Sequence, residues 1–138
     1  YVNGQVVDGL GGGICQISST LYNAVIYANL DIVTRSNHQF VPSYVTASRD
    51  ATVVYGSTDF QFKNNKKYPI KIMCSVSGGV ASVRIFGLKQ DDDYDVQISS
   101  YITGQTSTAT YSEAYKILKR NGKVIKKVLL SKDTYKRH

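Results

Sequence analysis

Residues suited to nucleophilic attack on a carbonyl carbon lie in the first half of the chain. Cys15 follows three glycines and opens a segment of helical periodicity, which predicts it in the first turn of a helix. Unpaired backbone N–H groups and the helix dipole favour a thiolate there, and the thiolate is the reactive form of cysteine. Histidine is the residue type suited to act as a base near neutral pH, and His38 is the candidate, whereas the other histidine, His138, is the last residue.

A carboxylate that fixes the imidazole tautomer would complete a cysteine–histidine–aspartate arrangement. Asp50 is preferred over Asp59, because Asp50 is nearer to His38 in sequence and is predicted to face it from an adjacent strand. Each aspartate is equally explained as a turn residue before a strand. Cys15 is equally explained as a small buried residue, and on chemistry alone the two readings weigh about the same.

The predicted helix runs from about Cys15 to Ala28, because apolar residues recur along it with a spacing of three or four. Asn29 is predicted to end it in the left-handed conformation. The glycines would let a substrate backbone pass close to the sulfur, and the N–H groups of the Gly13–Gln16 turn would stabilise an oxyanion. The predicted substrate-binding residues are Gly12, Gly13, Gln16, Ser18, Ser19, Tyr22, Arg35 and Arg49.

Each of these residues also has an ordinary structural explanation. The hydroxyl groups on the polar side of the helix can bond back to the helix backbone. An arginine fork suits the carboxylate of a peptide, but either arginine can equally be an exposed charge.

Most of the remaining chain alternates apolar and polar residues as strands do. A turn is predicted at Asn3-Gly4, another around 46–49, and hairpin turns at 77–79 and 121–122. An acidic break at 89–93 is predicted to separate two regions. The predicted strands are Leu30–Arg35, Val41–Val45, Ala51–Tyr55, Phe60–Lys63, 68–76, Val80–Leu88, Tyr94–Thr103, Thr108–Lys119 and Lys123–Leu130.

Composition narrows the class of protein. The chain has 138 residues and a net charge of +7, and nine lysines and arginines lie in 112–138. Alternating lysines protect exposed strand edges, and they would also attract anionic wall polymers. Nucleic acid is a poorer partner, since no recognition motif is present. No apolar run reaches the length of a membrane span. The chain has two cysteines and two histidines without paired spacing, which favours neither a disulfide framework nor a metal site. Cys74 is predicted to lie in the core or on a sheet face.

The string Gly-Gly-Gly-Ile-Cys-Gln-Ile-Ser-Ser-Thr-Leu-Tyr-Asn-Ala at 11–24 resembles the signature of the VanW domain family. The resemblance continues through Arg35-Ser36-Asn37-His38, Val41–Val45 and Asp50–Val53, and it covers roughly 1–87. It implies the activity of some members, which are L,D-transpeptidases of bacterial peptidoglycan with this cysteine as nucleophile. The matching position of the family motif also carries the histidine. Members usually have more sequence before the glycines, which implies a domain shortened at its N terminus.

The resulting prediction is an α+β fold in which one N-terminal helix carries the cysteine and packs on an antiparallel sheet. Residues 1–88 are predicted to be the VanW-like catalytic domain and 89–138 a β-rich C-terminal extension. The predicted activity is acyl transfer on peptidoglycan stem peptides, forming 3–3 cross-links without a cofactor. The alternatives are hydrolysis with the same cysteine and a non-catalytic wall-binding module. The expected protein is an extracellular monomer at the cell wall, anchored by segments outside this chain.

Overall fold

A computed structural model of the chain describes residues 6–8, 13–54, 56–78, 80–88 and 93–138, with the backbone alone at 6–8 and 13–15. Within these ranges one helix and mostly antiparallel strands form an α+β structure. The elements in chain order are β1 Val6–Asp8, α1 Gly13–Tyr27, β2 Asp31–Thr34, β3 Gln61–Lys63, β4 Lys71–Ser77, β5 Val80–Phe86, β6 Asp95–Gln105, β7 Ala109–Arg120 and β8 Lys123–Lys136.

Helix α1 ends as its sequence predicts. Asn29 adopts a left-handed conformation with a φ of 58°. The N–H of Leu30 donates to the carbonyl of Val25, and the N–H of Asn29 donates to the carbonyl of Ile26, both at 3.2 Å. This pair of bonds is a Schellman motif, which satisfies carbonyls that the last turn leaves open. The bounds of the helix include position 15, whose side chain lies outside the described part.

The described strands form three antiparallel sheets, ordered β1-β5-β4, β2-β3 and β6-β7-β8. The antiparallel pairs β4-β5 and β7-β8 follow each other along the chain as predicted, and Asn121 and Gly122 both have positive φ, as a tight two-residue turn requires. Cys74 lies exposed on β4 as a free cysteine. The predicted Asn3-Gly4 turn, the glycines at 11–12 and most of the acidic break lie outside the described residues.

Helix α1 is buried on two sides. One face places Ala24 and Val25 against Val83 and Ile85 of the β1-β5-β4 sheet. A second cluster joins Tyr22 and Ile26 of the helix to Ala51 and to Ile98 of the β6-β7-β8 sheet. The C-terminal sheet therefore shares a core with the helix.

The predicted strands Val41–Val45 and Ala51–Tyr55 are wrong for the residues described, 41–45 and 51–54. Their region is irregular apart from one isolated bridge between Val54 and Thr58. Pro42 has no N–H for a ladder. Side chains take the place of a neighbouring strand, since Ser19 Oγ accepts from the N–H of Ala51 at 3.0 Å. The turn at 46–49 is present, with the N–H of Arg49 donating to the carbonyl of Thr46 at 3.1 Å.

Candidate active site

The carboxylate of Asp50 is fully buried, and both of its oxygens accept hydrogen bonds. Its Oδ2 lies 2.7 Å from both the backbone nitrogen and the ring Nδ1 of His38. Its Oδ1 accepts from the phenol of Tyr135 at 2.5 Å and from Arg35 at 3.3 Å. The sequence-based pairing of His38 with Asp50 is thus the arrangement in the structure, although the two meet in an irregular segment rather than across strands.

The short contact to Asp50 determines the tautomer of His38. An ionised carboxylate only accepts, so Nδ1 carries a proton and Nε2 is the basic nitrogen of the neutral ring. Nε2 lies 3.4 Å from the hydroxyl of Tyr44, and the His38 side chain is 19% exposed. A buried carboxylate behind a partly exposed imidazole is the arrangement that general-base catalysis uses.

Arg35 links Asp50 to the C-terminal sheet. Its NH1 group donates to both carboxylate oxygens of Asp133, at 2.8 and 2.9 Å, and its Nε donates to the backbone carbonyl of Asp50 at 2.8 Å. The guanidinium also lies 5.0 Å from the ring centroid of Tyr22. Burial alone would lower the pKa of Arg35, but the neighbouring Tyr22, Asp133 and Asp50 raise it above its ordinary value. Arg35 is therefore a fixed positive charge inside the protein.

Helix α1 holds the Asp50 segment through side chains one turn apart. Ser18 Oγ donates to the carbonyl of Ala51 at 2.6 Å, and Ser19 contacts both the carbonyl and the N–H of the same residue. Asn23 Nδ2 donates to the carbonyl of Arg49 at 2.7 Å. These bonds satisfy the backbone of a buried irregular segment, which otherwise lacks a ladder partner.

The predicted substrate-binding residues have mostly internal positions. The buried ones are Gln16, Ser18, Ser19 and Tyr22. Arg49 donates to Asn23, Ser100 and the carbonyl of Ile98, at 3.0, 3.0 and 3.2 Å. Gly12 lies outside the described residues, and Gly13 begins the helix. Direct contact of these residues with a substrate stays a prediction. Their described contacts are with other parts of the protein and hold its segments in position.

Sequence reasoning missed the contribution of β8, which continues six residues beyond its predicted end at Leu130. Asp133 and Tyr135 point inward and are buried, whereas Lys132, Thr134 and Lys136 are exposed. This alternation is visible in the sequence, but its inward residues are polar, so a search for apolar periodicity overlooks them.

Because of the phenol of Tyr135, the free energy of unfolding should depend on pH in the alkaline range. Burial raises the pKa of Tyr135, and the charge of Asp50 and the hydrogen bond to it raise it further. Above pH 10, the ordinary tyrosine pKa, the unfolded chain loses this proton while the folded protein keeps it. The free energy of unfolding contributed by Tyr135 should therefore be complete below pH 10 and fall above it, by at most about 1.4 kcal/mol per pH unit.

Urea denaturation of the wild type and of Tyr135→Phe between pH 7 and 11 tests this dependence. The variant should be less stable at neutral pH by about 1.5–3 kcal/mol, the range for a hydrogen bond to a charged group. The difference between the two proteins should shrink above pH 10. Tyr101→Phe, on an exposed sheet face, is the matched control and should track the wild type. A constant difference across the pH range would contradict the assignment.

Other features of the described residues lie away from this network. No three His, Cys, Asp or Glu side chains among them are placed to share a metal ion. No helix in the same ranges has the length and apolar character needed to cross a membrane. A cleft of about 290 Å³ lies near the C-terminal end of α1 and is lined by Asn29, Asn65, Lys66, Lys67, Tyr68, Asp93 and Tyr94.

Comparison with known proteins assigns the class. The profile of the VanW-like protein family matches residues 1–86, so the chain belongs to that family. Over 85 residues the chain is 46% identical to the uncharacterized protein YoaR of Bacillus subtilis (strain 168), an alignment that covers 62% of this chain and 28% of YoaR. The chain thus spans less than a third of the length of that relative. No solved structure gives a significant match. Asp133 and Tyr135 lie beyond the part that the family profile covers.

Proposed function

We propose that this protein is a cysteine-dependent acyltransferase that acts on peptidoglycan stem peptides, an L,D-transpeptidase that forms 3–3 cross-links. The observation that supports it is the contact between the partly exposed imidazole of His38 and the fully buried carboxylate of Asp50, with Nδ1 and Oδ2 2.7 Å apart. Ser18 and Ser19 hold the Asp50 segment against helix α1. Position 15 shares their helix face by its spacing of three and four residues.

In the first step of the proposed reaction, His38 Nε2 takes the thiol proton of Cys15. The thiolate attacks the carbonyl between the third and fourth residues of a tetrapeptide stem. The C–S bond forms first and gives a tetrahedral oxyanion. The oxyanion then collapses, the C–N bond breaks, and His38 gives its proton to the departing amine of D-alanine. Asp50 keeps the imidazole oriented and balances its charge when it is protonated. Backbone N–H groups of the first turn of α1 stabilise the oxyanion.

In the second step, an amine of a neighbouring stem attacks the thioester. His38 removes a proton from that amine and the C–N bond forms. The C–S bond of the thioester then breaks, and His38 returns the proton to sulfur to restore the thiol of Cys15. No redox change and no cofactor are involved. Water in place of the amine would make the protein an L,D-carboxypeptidase, so the accepting nucleophile separates the two activities. The substrate class rests on the family resemblance. The proposal includes that the protein is an extracellular monomer at the cell wall.

Intact-protein mass spectrometry after incubation with purified muropeptide tetrapeptides tests the proposal. We expect a covalent adduct on Cys15, release of D-alanine and dimers cross-linked at the third residue. Cys15→Ala should give neither adduct nor product. Cys74→Ala is the matched control, because Cys74 is a free and exposed cysteine on β4, and it should behave as the wild type. His38→Ala should lower the rate by about 10²–10⁴-fold, the usual contribution of a general base.

The outcomes separate the candidate functions. D-Alanine release without dimers would replace transpeptidation by carboxypeptidase activity. An adduct on Cys74 alone, or full activity in Cys15→Ala, would contradict the cysteine mechanism. Absence of both adduct and product would favour a wall-binding module.

A further inference from the structure

The β6-β7-β8 sheet has a second face, here called the outer face, which points away from helix α1. The strand register places Tyr101 opposite Glu113 and Glu113 opposite Lys132 on this face. Tyr115 lies two residues further along β7, opposite Leu129 of β8. Tyr101 and Leu129 are each 45% exposed. The outer face is thus a solvent-exposed row of aromatic, apolar and charged side chains.

The aromatic side chains of the outer face form an ordered group. The rings of Tyr101 and Tyr115 lie nearly parallel, with centroids 6.3 Å apart and an angle of 18° between their planes. Lys127 Nζ lies 4.3 Å from the centroid of Tyr115. The phenol of Tyr115 donates to Glu113 at 3.0 Å. Flat rings, a cation and a carboxylate with a fixed position therefore meet within one patch.

The charge of the outer face is positive. By strand register it carries four lysines, at 119, 127, 132 and 136, against Glu113 and Asp95. The acidic residue of β8, Asp133, points to the other face of the sheet and is paired with Arg35. It therefore does little to offset these lysines. The face attracts groups that carry negative charge, although Glu113 disfavours a phosphate directly beside the tyrosines.

We propose that the outer face docks the glycan strands of peptidoglycan, with the tyrosine rings against sugar rings and the lysines against the carboxylates of the peptide stems. The partner follows from chemistry: an aromatic platform bordered by a few placed polar groups suits a ring with one apolar face and many hydroxyls. Glu113 can accept bonds from sugar hydroxyls. This inference rests on the proposed function for the identity of the polymer, and it adds a second contact on the face of the sheet that points away from helix α1.

Co-sedimentation with purified peptidoglycan sacculi, stripped of teichoic acids, tests the docking face. Tyr101→Ala/Tyr115→Ala should raise the apparent Kd by roughly tenfold or more, as expected when aromatic contacts are lost. Lys127→Ala should weaken binding less and reduce its dependence on salt. Lys66→Ala/Lys67→Ala, two lysines removed elsewhere on the surface, is the matched control and should bind as the wild type. Circular dichroism should show that every variant is folded.

Each result bears on the proposal separately from the enzyme mechanism. Cys15→Ala should still sediment with sacculi, and the double tyrosine variant should still form the acyl adduct with soluble tetrapeptide. Equal binding by the tyrosine variant and the wild type would overturn the docking face. So would binding to single-stranded DNA that exceeds binding to sacculi, which would indicate a nucleic-acid surface. Sedimentation without any adduct would count against the acyltransferase alone.

Discussion

Replacing Asp50 by alanine should lower the free energy of unfolding by about 3–5 kcal/mol, the usual cost of removing one partner from a buried ion pair. Asp50 is fully buried, and the change leaves Arg35, Tyr135 and His38 without the carboxylate that they share. The side chains of Arg35 and Tyr135 are buried, at 6% and 0% exposed, so both keep their desolvation penalty when the carboxylate is removed. Urea denaturation at neutral pH measures the loss.

Asp59→Ala is the matched control for this prediction. Asp59 is exposed, and it accepts from the N–H of Phe60 and from Gln61, at 2.8 and 2.9 Å, at the start of β3. Its removal should change stability by about 0.5 kcal/mol or less, as is usual for surface substitutions. A loss below 1 kcal/mol for Asp50→Ala, or equal losses for the two variants, would show that the network around Asp50 is not rigid.

Residues 1–88 alone should fail to fold cooperatively, although they contain the whole of the family match. Removal of 89–138 takes Ile98 from the cluster that covers Tyr22 and Ile26. It also leaves Arg35 without Asp133 inside a partly formed core. We expect circular dichroism to show no sharp thermal transition and amide NMR signals to be poorly dispersed.

The full chain with Val124→Ser is the control for this truncation. Val124 lies near the tip of the β7-β8 hairpin and is 60% exposed, so the change should leave the thermal transition nearly where it is. A cooperative transition in 1–88 would establish it as an independent domain. That result would also show that the contacts of β8 with the side chains of Arg35 and Asp50 are not required for folding.

Local patterns predict the helix and hairpins of this fold well, for physical reasons. The periodicity of α1 and the Asn29 cap depend on neighbours within a few residues, and so do the Asn121-Gly122 turn and its flanking strands. The segment from 41 to 54 depends instead on distant partners. The hydroxyls of Ser19 and Tyr135 serve its backbone, and no local pattern reveals bonds of that kind.

The candidate site divides in the same way. His38 and Asp50 are 12 positions apart, and the need of an imidazole for a carboxylate, together with nearness in sequence, predicts their contact. The adjacent strands expected to bring them together are not present among the described residues. Asp133 and Tyr135 were missed, because nothing near them in sequence indicates a role and their alternation with lysines is typical of an exposed strand. The placement of the Cys15 side chain relative to His38 stays a prediction.

The ion pair between Arg35 and Asp133 also affects the order in which parts of the protein fold during synthesis. The two residues are 98 positions apart, so the pair forms only after the chain has been made as far as Asp133. Synthesis proceeds from the N terminus at about 5–20 residues per second, so the histidine and its aspartate exist several seconds before their support from β8. We therefore expect the imidazole to reach its final orientation last. A chain still being made would therefore contain His38 before the support that Arg35 and Asp133 give to Asp50 is in place.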